Sequence, residues 1–300
     1  MAIHRIDSKA PATVRLAAWL NLIGNTLIIG TGGAVRLTGS GLGCPNWPTC
    51  TPDSWIPTEE LSYHSLIEFG NRLMSPVLVI LAIFALVATW KIRSDRRDLF
   101  VHAILIGSGV LLQALVGGIT VWTSLNSWIV GFHYLASITL VGVSASFVIR
   151  AGAYVTNRVI ALPKIGLIIT HIASLLLFVV VILGVITTGS GPHSGDKDIP
   201  NSGLNWDFLA HTHANFSYAL VAVTLALIVI GFISKNRRYL VWSLAFFIAL
   251  AAQAAVGIIQ ARIGIPPLLV GIHMVLAAIL VAVMVALVYA TKKPLQRQQQ

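Results

Sequence analysis

The chain has 300 residues, of which 56% are hydrophobic and 10% are charged, and its mean hydropathy is +0.85. Soluble globular chains carry roughly 25% charged residues, so the composition excludes a soluble enzyme, a disordered chain and a nucleic-acid-binding module. The net charge of +10 does not indicate a nucleic-acid partner, because the basic residues lie between apolar segments. We therefore expect a polytopic protein of the lipid bilayer without a separate soluble domain.

Eight apolar segments are long enough to cross a bilayer as helices, which predicts an all-α membrane fold. They are 16–36, 66–90, 99–122, 128–150, 164–187, 208–233, 239–262 and 267–290. The first lacks the small-residue cleavage site of a signal peptide and is therefore interpreted as a span.

The basic residues predict the orientation of these spans. All but four of the 20 Lys and Arg lie in the two tails or in the connections after spans two, four and six. These segments share one side of the membrane, and the positive-inside rule makes that side cytoplasmic. The expected protein is a multi-pass cell-membrane protein with both termini in the cytoplasm.

The two halves of the chain repeat one another in three short patterns. Thr-Gly-Ser-Gly at 38–41 recurs at 188–191, an offset of 150; at an offset of 140, 113–117 recurs as 253–257 and 131–133 as 271–273. Chance likeness between apolar spans is the alternative, but three matches in order favour duplication. We expect two pseudo-symmetric four-helix domains, 1–155 and 156–300, each with a similar site.

Histidines inside a helical bundle are functional candidates, and depth divides them into two groups. Those near the outer end of even-numbered spans are His133, His211, His213 and His273. Facing imidazoles at one depth suit heme iron, whereas zinc would require nearby carboxylate or cysteine ligands, and a core histidine with satisfied hydrogen bonds is the structural alternative. His102 and His171 lie at the opposite depth and are interpreted as structural or interfacial. The remaining histidines are assigned to the tail (His4) and to outer loops (His64 and His193).

Charged residues near the outer ends of spans form a second set of candidates. Glu68 and Arg72 are four residues apart and share one face of a helix. The carboxylate is a candidate proton acceptor, and a structural ion pair that hides both charges is the alternative. Arg36 and Arg262 are candidates to bind heme propionates, or they extend to the membrane surface.

Both cysteines, Cys44 and Cys50, fall in the first outer loop. The compartment outside the cytoplasmic membrane permits disulfides, so we expect the two to pair. A staple for a proline-rich loop and a redox-active pair are both compatible with this position.

These features together resemble the heme A synthase family of the CtaA type. The most specific stretch is Gly-Gly-Ala-Val-Arg-Leu-Thr-Gly-Ser-Gly-Leu-Gly-Cys at 32–44, followed by Trp47-Pro48 and Cys50. The resemblance covers nearly the whole chain. It implies oxidation of a methyl group of heme O to a formyl group, which supplies heme A to terminal oxidases in cytochrome oxidase assembly.

The resemblance also implies two heme sites and the residues that serve them. A heme b in the C-terminal half would be ligated by His273 and by His213, with His211 as the alternate. Only one of the latter two can face the iron, because two residues correspond to about 200° of helix rotation. Substrate heme O in the N-terminal half would be faced by His133, with Glu68 as the catalytic carboxylate. Cys44 and Cys50 would form the loop disulfide.

One residue departs from the family pattern. The family motif is usually Glu-x-x-His-Arg, whereas this chain has Asn71 in the histidine position, followed by Arg72. Asn is a poor iron ligand, so the N-terminal heme is expected to be five-coordinate or held by hydrogen bonding on the Asn71 side. Asn71 and Arg72 are accordingly grouped with Arg36 and Arg262 as cofactor-binding candidates.

Two other functions remain open at this point. A non-enzymatic electron-transfer cytochrome with two b hemes would explain the histidines but not Glu68 or the cysteine loop. A transporter built on a repeat would require broken helices at mid-membrane. Expected partners of a heme A synthase are heme O itself, heme O synthase and a terminal oxidase, and a homo-oligomer is left open.

Overall fold

The computed structural model of the protein describes residues 9–58, 62–152, 158–192 and 201–294. Its helices are α1 (Ala12–Leu37), α2 (Tyr63–Trp90), α3 (Arg97–Trp122), α4 (Ser127–Gly152), α5 (Lys164–Ser190), α6 (Trp206–Ile233), α7 (Arg237–Arg262) and α8 (Pro267–Ala290). Two short strands complete it, β1 (Arg158–Ile160) and β2 (Lys292–Pro294). All eight helices are long and apolar enough to cross a membrane, which confirms the predicted eight-span α-helical fold.

Most helices extend a few residues beyond the predicted spans, because polar and proline residues begin them. Asn205 accepts a hydrogen bond from the backbone N–H of Phe208 at 3.0 Å and caps α6. Asn236 does the same for α7 by accepting from the N–H of Tyr239 at 3.1 Å. Such capping residues satisfy N–H groups that have no partner within the helix. Apolar periodicity does not report these polar first turns.

The helices pack as two rings of four. In the N-terminal half (α1–α4), α1 and α3 both contact α2 and α4; in the C-terminal half (α5–α8), α5 and α7 both contact α6 and α8. Between the halves α4 lies against α8, flanked by the pairs α1–α8 and α4–α5. Exchanging one half for the other leaves this contact pattern unchanged. The predicted domain boundary at 155 falls at 153–157, outside the described residues.

Apolar side chains fill each ring and the contact between the rings. One buried cluster is drawn from α1–α4 and includes Leu99, Ile106 and Phe147, whereas a second lies within the C-terminal half. A third joins the halves and contains Ile29 of α1, Val141 of α4 and Ala278 of α8. The outward faces carry many exposed apolar side chains, as a lipid-facing surface requires.

Helices α4 and α8 are also tied to each other by polar contacts at both ends. Near the end of the bundle that lies opposite the basic segments, the Tyr134 hydroxyl donates to the carbonyl of Met274 at 3.1 Å. Near the basic end, the hydroxyls of Ser146 and Tyr289 lie 2.8 Å apart, and Arg150 Nε donates to the Tyr289 oxygen at 2.6 Å.

The basic end carries further connections. Nε2 of His102 lies 2.8 Å from the Ser146 hydroxyl, so α3 joins the same polar network, in agreement with a structural role for this histidine. His171 is exposed on α5. At the same end β1 pairs antiparallel with β2, with Arg158 opposite Pro294 and Ile160 opposite Lys292. This pairing links the segment after α4 to the segment after α8.

Candidate functional site

His213 and His273 face each other inside the C-terminal half. Their ring centres are 6.3 Å apart and their planes are inclined by 71°. A metal held between two imidazoles at the about 2 Å metal–nitrogen distance of histidine ligands would separate the ring centres by roughly 6 Å. The pair therefore has the spacing of two axial ligands on opposite sides of one iron.

The surroundings of the two rings suit ligation, and each ring packs against a glycine. Nδ1 of His213 lies 3.0 Å from the carbonyl oxygen of Val180, which leaves Nε2 for a metal. A side chain at Gly184 would place its Cβ 3.0 Å from the ring of His213, and one at Gly257 would lie 3.0 Å from the ring of His273. Because both positions are glycine, the imidazole rings can pack directly against the backbones of α5 and α7.

Several side-chain polar atoms near the histidines of the two halves are buried without a hydrogen-bond partner. They include Nδ1 of His133 and of His273 and Oε1 of Gln113 and of Gln253. The His273 nitrogen is directed toward the backbone of Gln253 without meeting hydrogen-bond geometry. Buried polar groups in proteins are normally paired, so orphaned atoms at repeat-related positions fit sites that each hold a bound group.

His211 lies on the other side of α6 from His213. Its side chain is 78% exposed and Nε2 is 3.6 Å from the carboxylate of Asp207. Two residues correspond to about 200° of rotation about the helix axis, so His213 points into the bundle and His211 points outward. Within the described ranges there is no cluster of three or more His, Cys, Asp or Glu side chains that could hold a metal ion.

The N-terminal half places His133 in a similar setting. A Cβ at Gly117 would lie 3.5 Å from its ring, as Gly257 adjoins His273 one repeat later. Nε2 of Gln113 donates to the backbone carbonyl of His133 at 2.8 Å and also contacts the hydroxyl of Ser137. Gln113 thereby joins α3 to the turn of α4 that carries the histidine.

Asn71 stands on α2 against α1. The hydroxyl of Thr31 donates to its Oδ1 at 2.7 Å, and a Cβ at Gly32 would lie 3.8 Å from the same oxygen. Asn71 is half-buried and three residues after Glu68, so the two side chains share one face of α2.

The Glu68–Arg72 pair is confirmed as an ion pair, and it also holds the cysteine loop. Glu68 is 4% exposed. Its Oε1 accepts from Nε of Arg72 at 3.0 Å and from Nη2 at 2.5 Å, whereas Oε2 accepts from the backbone N–H of Cys44 at 2.7 Å. Arg72 further donates to three loop carbonyls, those of Cys44, Asn46 and Thr49, at 3.0, 2.8 and 3.1 Å. A guanidinium has five N–H donors, so the two contacts with Glu68 and the three with the loop use all of them.

The loop is closed by the predicted Cys44–Cys50 disulfide, whose sulfur atoms are 2.01 Å apart and whose residues are both fully buried. Trp47, between them, lies against Gly118 of α3, where any side chain would collide with the indole. Its carbonyl accepts from Nε1 of Trp122 at 3.3 Å, and the two indoles meet edge to face at 5.3 Å. The loop thus spans from α2 to α3 over the N-terminal half.

His64 lies in the first turn of α2, which begins at Tyr63, so its assignment to the outer loop was wrong. Its Nδ1 lies 2.8 Å from the Ser40 hydroxyl, which connects the end of α1 to the start of α2. The helix begins at Tyr63, where the Ser62 carbonyl accepts a hydrogen bond from the N–H of Ser65 at 3.0 Å, whereas the predicted span begins only at residue 66. His4 and His193 lie outside the described residues.

The two remaining arginine candidates differ in environment. Arg36 is half-buried in the last turn of α1 and interacts with Tyr134 of α4, whose hydroxyl is bonded to the backbone of α8. Arg262 is exposed at the end of α7. An apolar groove of about 480 Å³ between α1 and α8 passes Ala34 and Gly271 but includes none of the histidines.

Comparison with known proteins assigns the chain to a protein family. Residues 15–285 match the COX15-CtaA family model, described as cytochrome oxidase assembly protein. This chain belongs to the COX15-CtaA family. The chain is similar to proteins named heme A synthase from Staphylococcus epidermidis, at 23% identity over 74% of this chain and 76% of that protein, and from Geobacillus thermodenitrificans, at 28% identity over 50% of this chain and 49% of that protein. A heme A synthase of Lysinibacillus sphaericus is 31% identical over 45% of this chain and 43% of its own. The chain therefore spans about half the length of two of these relatives and three quarters of the other.

Membership of the COX15-CtaA family does not favour the electron-transfer cytochrome considered above.

The sequence did not reveal several contacts around the site, namely those of Thr31, Gly184, Gln113 and Trp47. The signal for Gln113 was present, because it opens the repeated pentapeptide at 113–117. The polar Thr31 within Gly-Thr-Gly-Gly was a weaker signal. The contact between Trp47 and Gly118 joins residues too far apart in sequence for any local pattern to indicate.

Proposed function

We propose that this protein is a heme A synthase, which oxidises a ring methyl of heme O to a formyl group. The observation that carries the proposal is the opposed pair of His213 and His273 in one half, repeated in part by His133 in the other. Family membership supports the same activity.

In this proposal the C-terminal half holds heme b between His213 and His273. The carbonyl of Val180 fixes the His213 ring by accepting from Nδ1, an interaction that orients ligating histidines in general. Held by these two histidines, a heme would supply one-electron redox chemistry to this half. Gly184 and Gly257 keep the ring positions clear of side-chain atoms.

The N-terminal half binds heme O as substrate, with His133 facing its iron. Glu68 accepts protons released as the methyl group is oxidised, and it lies on the same face of α2 as Asn71. Arg36, near Tyr134, is the better placed of the two arginines to meet a propionate, because Arg262 is exposed at the membrane surface. The donors of Arg72 are engaged with Glu68 and with the loop, which favours a positioning role for this residue over cofactor binding.

The cysteine loop excludes water from the substrate site. Trp47 and the disulfide cover the outer end of α2 and α3, and Glu68 lies directly beneath Cys44. Removing water from a charged site strengthens the electrostatic interactions within it.

The distribution of basic residues supports a cell-membrane protein with both termini in the cytoplasm. The sites would then open toward the outer face, where heme O synthase and a terminal oxidase are the proposed partners for supply and delivery. Topology reporters fused to each terminus would be active only in the cytoplasm if this orientation is right.

The decisive experiment is the identification of bound hemes. The chain is expressed together with a heme O supply, purified in mild detergent, and its extracted hemes are identified by mass. Heme B together with heme O, heme A or a hydroxylated intermediate is the expected result. Heme B alone would instead favour an electron-transfer cytochrome, and a protein without heme would contradict both functions.

A further inference from the structure

We infer that the heme of the N-terminal half has a single protein ligand, His133, and an open axial position lined by the carboxamide of Asn71. The inference rests on the proposed function, because it specifies how the proposed substrate heme is held. It follows from comparing the two halves residue by residue.

His133 and His273 occupy corresponding places. They are 140 residues apart, and each ring lies against the corresponding glycine of the preceding helix, Gly117 or Gly257. Each also has a buried Nδ1 without a hydrogen-bond partner. One axial ligand is therefore conserved between the halves.

Asn71 occupies the place of His213, not that of His211. His213 lies against Val180 and Gly184 of α5. The offset of 150 between α1 and α5 relates these two residues to 30 and 34, which bracket the Thr31 and Gly32 that Asn71 contacts. This correspondence assigns Asn71 to the side of its half opposite His133, as His213 is opposite His273.

The Asn71 side chain is unsuited to ligate iron from this place. Its amide ends one bond nearer the backbone than the Nε2 of a histidine, and its Oδ1 already accepts the Thr31 hydroxyl at 2.7 Å. The remaining group is Nδ2, which has no hydrogen-bond partner within the described residues. An amide nitrogen of this kind is a donor without a usable lone pair.

The consequence is a site that binds a small neutral ligand at its iron and donates a hydrogen bond to it from Asn71. The C-terminal pair, in contrast, occupies both axial positions. The two halves thus carry the same scaffold with different coordination: one heme is closed by two imidazoles and the other is open to a diatomic molecule.

Carbon monoxide is the probe that separates these states, because reduced heme binds it only when an axial position is free. The full chain is purified, loaded with heme O, reduced with dithionite and titrated with carbon monoxide, while total heme is measured independently. Half of the bound heme is expected to take up the gas. Asn71→His is expected to abolish this uptake, and the reciprocal His213→Asn is expected to extend it to the second heme.

The hydrogen bond is tested separately in Asn71→Leu. This variant keeps the position open but lacks the donor, so uptake persists and the C–O stretching band moves to higher frequency. Thr31→Val, which frees Oδ1, is expected to broaden or split that band.

Three outcomes overturn the inference. Two bound hemes that are both six-coordinate and take up no carbon monoxide exclude an open position, and an unchanged stretching band in Asn71→Leu excludes the donor. A chain that binds no second heme removes the N-terminal site as well. A second heme that takes up carbon monoxide but is never converted to heme A would count against the proposed function alone.

Discussion

The backbone N–H of Cys44 donates to Oε2 of Glu68 at 2.7 Å, so the carboxylate proposed to accept protons also anchors the disulfide loop. The same carboxylate pairs with Arg72 one turn later on α2. The proton-acceptor and ion-pair interpretations of Glu68 therefore coexist in one residue, and separating them requires a matched pair of variants.

Glu68→Gln is expected to lower heme A formation by about 100-fold or more, because general acid–base groups contribute roughly this factor. Removing one partner of a buried pair also leaves Arg72 uncompensated, which costs about 3–5 kcal/mol of stability. Heme A yield per folded chain is the measurement. In the double variant Glu68→Gln/Arg72→Met the lone charge is absent, and activity is expected to stay low. Recovery of activity in the double variant, or a normal rate in Glu68→Gln, would contradict the proton-acceptor role.

His213→Ala is expected to remove heme b from the purified protein, because it deletes one of the two opposed rings. His211→Ala is the matched control, since its side chain is exposed and reaches only Asp207. Heme content per chain and the absorption spectrum are compared for both. Loss of heme b from His211→Ala with retention in His213→Ala would reverse the ligand assignment.

Gly257→Ala is expected to disturb the heme b spectrum without unfolding the protein. The added Cβ would lie 3.0 Å from Cε1 of His273, so the ring must shift by a few tenths of an ångström. Gly70→Ala is the control, because no atom lies within 4 Å of a Cβ there and Ala favours a helix by about 1 kcal/mol. A spectrum altered equally by both variants would show that ring contact is not the cause.

Gly118→Val is expected to displace Trp47 and loosen the disulfide loop. The measurement is the rate at which a membrane-impermeant phosphine reduces the Cys44–Cys50 bond, which is buried in the native loop. Gly152→Val provides a comparison at a helix end where no atom lies within 4 Å of a Cβ. Equal reduction rates in the two variants would mean that Trp47 does not hold the loop closed.

The sequence was sufficient to predict the spans because the membrane imposes a length and a composition on every helix. It was also sufficient to predict the disulfide and the pairing of Glu68 with Arg72, since both depend on local spacing. A constant offset of 140 pairs Asn71 with His211, whereas His213 is the histidine that faces His273 inside the bundle, so the repeat alone did not identify the inward-facing histidine. Contacts between distant segments, such as Thr31 with Asn71, depend on how the helices pack, which no local pattern reports.

The polar ties at both ends of α4 and α8 have a consequence for electron movement. His133 stands on one of these helices and His273 on the other, and Tyr134 and Tyr289 bind the two helices together. The histidines proposed to face the two hemes therefore lie on two helices that are joined to each other at both ends. Electron-transfer rates fall steeply with distance, and these connections between α4 and α8 would help to keep the separation of the two hemes constant.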